Sequence, residues 1–495
     1  MKSYLIALAC VAVLLVAYVT GGTLDIDEGF SIWLASHSTL ANLWHALRTG
    51  DSSDLQMGLY YVYLWAWTHL FGNAEYTMRA ANLPWAFLFA AAVGFTSWRV
   101  FQRPVAWAFL FLSPFLCFYV DEARAYTPVM ACAAASSGAL LLYLYESPRR
   151  LYCYLALGFL WLGICFHLLA VTLGPAFLVL AWWYRRDRVW FADWRKPVLL
   201  FAPLFVALGA YEAWTFTRGS MYGYGGPGFK YLAFIFYTFL GFGGLGPDRD
   251  TMQTPAPGAW GPYWPWLAFG LLLLVTAAVA IRQSRERAFV LLAAGLLPFA
   301  LVEACTFVSG HRLPTRHFAP LLPLAFYWGL ALLDGVPLRR VQTAVVALAM
   351  LWAVSDARLR TLPEHQKGDY RAAAQAALAH AGAGDIVWTG DLLTANYYGL
   401  ALRDDFRARY YNFDYEQGIR QVAWPSAGQG IAAADWTPAQ VAHFLAQQKQ
   451  LHRPVVVALR KCDQVDESDA WLRYFASYPE APVQKLRGFD LYLIR

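Results

Sequence analysis

Charge is what this 495-residue chain is short of: Asp, Glu, Lys and Arg together make up 15% of it, against 59% hydrophobic residues. With a mean hydropathy of +0.38, the chain is too apolar for a soluble enzyme of its length and reads as a polytopic membrane protein. Lysine is scarce, so arginine carries nearly all of the basic charge. The net charge of +6 is dispersed in turns, not gathered in a patch, which argues against a nucleic-acid partner. Cysteine forms no CxxC and no Cys/His pairing. Cys10, Cys117, Cys132, Cys153, Cys165 and Cys305 sit in apolar runs and Cys462 stands alone near the end, a distribution that suits neither a zinc site nor a disulfide framework. Gly-rich phosphate fingerprints and internal repeats are also missing.

What is present is a succession of apolar runs from residue 4 to about residue 354, each able to cross a hydrocarbon core of roughly 30 Å. Ser3 to Thr20 follows Met1-Lys2 in the manner of a signal sequence, but no small-x-small cleavage site follows it, and it reads as an uncleaved anchor. Basic clusters mark the cytoplasmic side. They fall at Arg99 and Arg103, Arg149-Arg150, Arg185-Arg186 with Arg188, Arg195-Lys196, Arg282 with Arg285 and Arg287, and Arg339-Arg340. The spans between them then pair into hairpins: Pro104–Val120 with Tyr126–Tyr145, Leu151–Tyr184 turning near His167, and Ala288–Val308 with Phe318–Leu333. Met57–Phe71 is set in the outer interface or as a re-entrant helix, and Tyr231–Leu245 on the outer surface, because counting them as spans breaks the parity. The expectation is a polytopic α-helical protein with about eleven crossings, or up to about thirteen if those two segments cross, amino end inside and carboxyl end outside.

The transmembrane module is expected over residues 1–355, with a long first outer loop over 21–76. In that loop Phe30, Trp33 and Leu34 share a helical face, and Leu40, Leu43, Trp44 and Leu47 recur at helical spacing, predicting two amphipathic helices along the membrane. Gly219–Gly228 and Gly243–Gly261 read as outer loops or lids. From residue 356 to 495 the pattern changes to a small α/β domain with a partly parallel sheet. Helices are expected at Tyr370–Ala381, Thr437–Gln448 and Glu467–Ala476, and strands at Asp385–Thr389, Pro454–Leu459 and Asp490–Ile494. The turn at Gly390-Asp391 reads as structural, not as a nucleotide site.

Four outer turns hold residues capable of chemistry. Thr23-Leu-Asp25-Ile-Asp27-Glu28 sets three carboxylates beside the membrane surface, where their repulsion suits a base or a metal-ligand site; the alternative is a solvated loop in which Asp27 caps a short helix. Asp51-Ser-Ser-Asp54 leads into an aromatic segment. Asp121-Glu122-Ala-Arg124-Ala-Tyr126 joins two spans, either as a self-satisfied ionic cluster or as part of a site. His311-Arg312-Leu-Pro-Thr-Arg316-His317 is basic on a face where the orientation rule disfavours cations; an anionic headgroup explains it, as does snorkelling to ordinary lipid. His167 stands alone at the tip of its apolar hairpin. Carboxylates and guanidiniums on one membrane face suit displacement of a phosphate leaving group by a hydroxyl, with a carboxylate taking the proton.

Taken in order, Leu24-x-x-Asp27-Glu28, Gly58-Leu-Tyr60-Tyr61, Leu70-Phe71-Gly72 through Glu75 to Arg79, Glu122-Ala-Arg124-x-Tyr126, His167 and Arg316-x-Phe318-x-Pro320 resemble the GT-C glycosyltransferases. The branch resembled includes the protein O-mannosyltransferases and the bacterial lipid A aminoarabinose transferases. The resemblance covers most of residues 1–334, and the tail resembles the α/β extension of bacterial members. It implies a polyprenyl-phosphate sugar donor, Asp27 as base with Glu28 beside it, and Arg124, Arg312 and Arg316 on the donor phosphate. It further implies that Glu122 orients Arg124, with Asp54, Tyr126, His167 and His311 supporting. Members commonly carry a His/Gln-Pro-Pro before Leu-Tyr-Tyr, where this chain has Gln56-Met57-Gly58.

The function expected is that of an inverting glycosyltransferase of the bacterial inner membrane, moving one sugar to a periplasmic acceptor that is a glycolipid, a polysaccharide or a protein. Some GT-C enzymes use Mg or Mn, and Asp25, Asp27 and Asp54 are the residues here that could ligate such a cation. The rivals are a carrier or flippase for a lipid-linked or small anionic solute, which would favour charges at mid-membrane, and a non-catalytic receptor or assembly subunit.

Overall fold

In the computed structural model of the chain, the first apolar run folds as helix α1 (Lys2–Tyr18), and the Gly21-Gly22 pair that follows carries little helix propensity. The structure describes residues 2–49, 53–102, 113–184, 188–216, 258–265, 315–334, 368–381, 385–403, 428–432, 436–460 and 470–494, together with shorter pieces of 267–355. Helices α2 (Ile26–Ala35), α3 (Leu40–Thr49), α4 (Gly58–Phe71), α5 (Glu75–Ala80) and α6 (Leu83–Val100) follow. Next come α7 (Pro114–Val120), α8 (Tyr126–Tyr145), α9 (Arg150–Phe166), α10 (Leu173–Tyr184), α11 (Arg188–Phe216) and α12 (Leu322–Asp334). Helices stand where the amphipathic pair was expected, as α2 and α3; α3 buries one stripe, Leu43, Ala46 and Leu47, whereas α2 is buried all round from Glu28 to Ala35. Helix α4, at 14 residues, reaches about 21 Å by helical rise, short of a bilayer core. The hairpin breaks at His167, as the flanking basic clusters require.

Among the described residues, Glu75–Val100, Tyr126–Tyr145 and Ala192–Thr215 are long and apolar enough to cross a membrane, and Leu8–Tyr18, Arg150–Phe166 and Leu168–Leu180 are shorter apolar helices. The expected segment at 231–245, most of 104–120 and 288–308, and the loops at 219–228 and 243–257 lie outside the described residues.

Two compact units can be distinguished, and neither is continuous in sequence. The first takes Met1–Thr20, Ser53–Tyr60 and Arg79–His365. Its most buried helix is α8, where the run Ala131-Cys-Ala-Ala-Ala-Ser-Ser-Gly138-Ala139 lets neighbouring backbones approach closely. A Cβ on Gly138 would lie 2.5 Å from Thr96 Oγ1 and 2.8 Å from Tyr327 Oη. Tyr327 donates to Ala134 O at 3.0 Å, and Ser136 donates to Ala156 O at 2.6 Å, so α12 and α9 are both fastened to α8. Helix α11 is the opposite case. It exposes Val198, Leu199, Leu200, Leu204 and Val206, an apolar surface suited to lipid.

The second unit takes Gly21–Ser52, Tyr61–Met78 and Gln366–Arg495, and so includes much of the first loop as well as the tail expected from residue 356. Its sheet has strands β1 (Asp385–Trp388), β2 (Leu400–Arg403), β3 (Gly428–Ala432), β4 (Val455–Arg460), β5 (Gln484–Leu486) and β6 (Phe489–Ile494), in the order β2-β3-β1-β4-β6-β5. The first four positions are parallel and β4-β6-β5 antiparallel, a mixed sheet. Strand β4 is an unbroken apolar run because both faces are covered. Val456 and Ala458, with Ile386 and Trp388, face Tyr370, Ala373 and Ala377 of α13 (Tyr370–Ala381). Val455, Val457 and Val387 pack with Val441 and Phe444 of α15 (Pro438–Gln450) and with Trp471 of α16 (Ala470–Ala476). Thr437 caps α15 in a capping box with Gln440. Short α14 (Leu392–Tyr397), β2, β3 and β5 are elements the sequence pattern does not announce. The carboxylate of Asp391 caps α14, accepting from Thr394 N at 2.7 Å, the structural use expected of that turn.

Candidate functional site

The acidic stretch opens α2, and its three carboxylates are not equivalent. Asp25, not Asp27, is the N-cap: Asp25 Oδ1 accepts from Glu28 N at 2.9 Å, and Asp25 N donates back to Glu28 Oε2 at 3.4 Å, a complete capping box. Glu28 is fully buried. The sequence alternative in which Asp27 caps the helix is therefore corrected; Asp27 sits inside the first turn, partly exposed, where a negative charge interacts favourably with the helix dipole.

Around this stretch, still within the second unit, Glu75 forms a hub. Arg371 donates to Glu75 Oε1 from Nε at 3.1 Å and from Nη2 at 2.5 Å, and the Tyr398 hydroxyl donates to the same oxygen at 3.1 Å. Tyr398 Oη in turn accepts from Leu24 N at 2.8 Å. Burial raises the pKa of Tyr398 to about 12, so it keeps the proton that it donates. Sequence reading missed Arg371 and Tyr398, since neither belongs to a motif.

The first unit holds the basic cluster. In the turn after α7, Asp121 accepts from Thr20 N at 2.6 Å and from Thr20 Oγ1 at 2.9 Å, with buried Arg79 Nε 4.0 Å away. Asn82 Nδ2 donates to the carbonyls of Tyr119, Val120 and Glu122, fixing the loop from which Arg124 projects. Arg124 Nη1 pairs with Asp54 Oδ1 at 3.1 Å, and both side chains are buried. Asp54 is presented to Arg124 by a 3-10 turn over Ser53–Met57 that Tyr211 anchors by donating to Leu55 O at 2.7 Å. Glu122 is buried in the same turn.

His167 joins this cluster. Its ring centroid lies 5.9 Å from that of Tyr126 and 6.0 Å from that of His317. Both histidines sit in turns outside the apolar spans. Burial, then Arg124, then Arg316 lower the pKa of His167 to about 3; burial, His167, Arg316 and Arg124 hold that of His317 well below its usual value. Neutral imidazoles flanked by two guanidiniums present hydrogen-bonding groups without adding charge, a suitable lining for phosphate oxygens. His317, quoted in the sequence only as a neighbour of Arg316, emerges as a member of the site. His311 and Arg312 lie outside the described residues.

A cation site on Asp25, Asp27 and Asp54 finds no support in these contacts. Asp25 is engaged in the cap and Asp54 in an ion pair, and among the described residues no three His, Cys, Asp or Glu side chains gather as a metal would require.

No protein-family model matches the sequence, and no curated protein matches it. Structure is more telling. The apo form of ArnT from Cupriavidus metallidurans is similar over 100% of this chain and 98% of its own, with a TM-score of 0.60 at 11% sequence identity. The form of that protein bound to undecaprenyl phosphate is similar over 99% of this chain and 98% of its own, with a TM-score of 0.54 at 12% identity. The resemblance drawn from the ordered motifs thus holds for the fold, and the chain is a helical membrane protein with an ArnT-like fold and a small mixed-sheet domain at its carboxyl end.

Proposed function

We propose that this chain is an inverting glycosyltransferase that moves a single sugar from a polyprenyl-phosphate donor to an acceptor at the periplasmic face of a bacterial inner membrane. The observation that carries the reading is the turn cluster in which the His167 and His317 rings lie 6.0 Å apart, with Arg124 and Arg316 both lowering the pKa of these histidines. Guanidinium forks beside neutral imidazoles suit the oxygens of a phosphate monoester or diester headgroup. ArnT, whose fold this chain shares, has been solved with undecaprenyl phosphate, which supports the same class of ligand here.

In this reading Arg124 and Arg316 hold the donor phosphate and neutralise the charge that grows on it as the sugar–oxygen bond breaks. Asp54 fixes the orientation of the Arg124 fork. Asp27 takes the proton from the acceptor hydroxyl as its oxygen attacks the anomeric carbon from the opposite side, and a single in-line displacement inverts that carbon. The acceptor class spans glycolipid, polysaccharide and protein hydroxyls or amines. The two-part organisation, a membrane module over 1–355 and a periplasmic domain over 356–495, belongs to the same proposal.

Purified protein is incubated with a panel of polyprenyl-phosphate sugars and an envelope extract as acceptor. Loss of the sugar from the lipid donor, abolished by Asp27→Asn in a variant that still folds, supports the reading. Full transfer by Asp27→Asn removes the base assignment. Movement of intact donor between leaflets without bond cleavage establishes the carrier reading instead.

A further inference from the structure

We infer that the C-terminal segment is a positioning device for Asp27, acting through Thr394, Tyr398 and Arg371; the inference rests on the transferase reading of Asp27. All of the contacts lie within the second unit, and they bracket that residue on both sides. On the carboxyl side, Gly29 of α2 meets α14 so closely that a Cβ there would lie 2.0 Å from Thr394 Oγ1 and 3.2 Å from its Cα. Only glycine allows this approach. Thr394 Oγ1, whose proton goes to Asp391 Oδ2 at 2.7 Å, also lies 3.3 Å from Asp25 O, beside the cap that starts the helix.

On the amino side the stretch is held by two bonds to its backbone and one to a side chain. Tyr398 receives Leu24 N–H at 2.8 Å. Arg371 Nη2 donates to Gly21 O at 2.7 Å, and Arg371 N donates to Thr23 Oγ1 at 3.2 Å. Glu75 ties Tyr398 to Arg371 by accepting from both. A base must be held within a fraction of an ångström of its productive place, and a displacement of about 1 Å can cost on the order of a hundredfold in rate. The capping box fixes the start of α2 locally, but the two glycines that open the stretch leave its approach loose, and the tail supplies the remaining restraint.

The test uses the full-length protein with Tyr398→Phe and Gly29→Ala. Hydrogen exchange of the backbone amides of residues 21–31 is expected to quicken in both variants. Transfer is expected to fall about tenfold in kcat, with donor KM changed by less than about twofold, as for a misplaced base and not a damaged donor site. Thr394→Ala introduced into Gly29→Ala removes the hydroxyl that the new methyl meets and is expected to restore part of both losses, which general misfolding would not allow. Wild-type exchange in both variants, or quickened exchange with wild-type kcat, overturns the inference. Failure of the transferase reading is separable, because it shows as no donor cleavage by the unaltered protein, whereas the exchange measurement reports directly on whether the tail holds the stretch.

Discussion

Asp54 and Arg124, 70 positions apart in sequence, meet in a buried ion pair at 3.1 Å. The pair fixes one arm of the guanidinium, and the fork of five donors is what lets an arginine be positioned by one acceptor while it serves another.

Asp54→Ala removes the carboxylate of a buried ion pair, a change that costs up to about 3–5 kcal/mol. The expected result is a lowered thermal midpoint in detergent. Added undecaprenyl phosphate is expected to raise the midpoint of the variant by more than it raises that of the unaltered protein, since an anion then substitutes for the missing one. Equal shifts would place the lipid away from Arg124.

Acid is expected to weaken the protein through His167 and His317. Their folded pKa values are depressed, so between about 6.5 and the folded value the unfolded chain binds protons that the native state refuses. Stability is therefore complete above the unfolded pKa and declines as pH falls below it, by up to about 1.4 kcal/mol per pH unit for each histidine. His167→Asn is expected to flatten the fall in thermal midpoint between about pH 6 and pH 5. An unchanged slope would exclude His167 as its source.

The acids of α2 are expected to separate into structural and chemical roles. Asp25→Ala removes the cap and is expected to cost about 1 kcal/mol, read as faster exchange at the start of the helix. Asp27→Asn is expected to leave that exchange unchanged while abolishing sugar transfer. Loss of transfer from Asp25→Ala without faster exchange would reverse the assignment.

In the membrane unit, Gly138→Ala forces a methyl group against Thr96 Oγ1 and Tyr327 Oη. Overpacking of this kind costs about 1–3 kcal/mol. The expected outcome is a lowered midpoint, partly recovered by Thr96→Ala, which deletes the nearer of the two atoms.

Several features were legible because they depend on neighbours in the chain. The two helices of the first loop follow from the spacing of Phe30, Trp33, Leu43 and Leu47, and the hairpin tip at His167 from basic clusters on either side. The start of α15 follows from Thr437-Pro438 with Gln440 three residues on. The tail's central strands show as apolar runs, whereas β2, β3 and β5 are short and mixed in composition and carry no period to detect. The choice of cap in the acidic stretch was not legible. Both Asp25 and Asp27 are good N-caps, and the decision fell to Asp25 because Glu28 then occupies the third helical position and closes the box.

By itself the sequence determined the class of the protein and the places where its helices run, since hydrophobic periodicity and capping are read within a few residues of chain. It also set the ordered residues through which a GT-C likeness is visible. Only the tertiary structure decided that Asp54 faces Arg124, that His317 joins His167, and that Gly29 lies against Thr394. Such pairings depend on how distant segments pack, up to 369 positions apart for Thr394 and Asp25, and no local pattern records which small residue will be met by which neighbour.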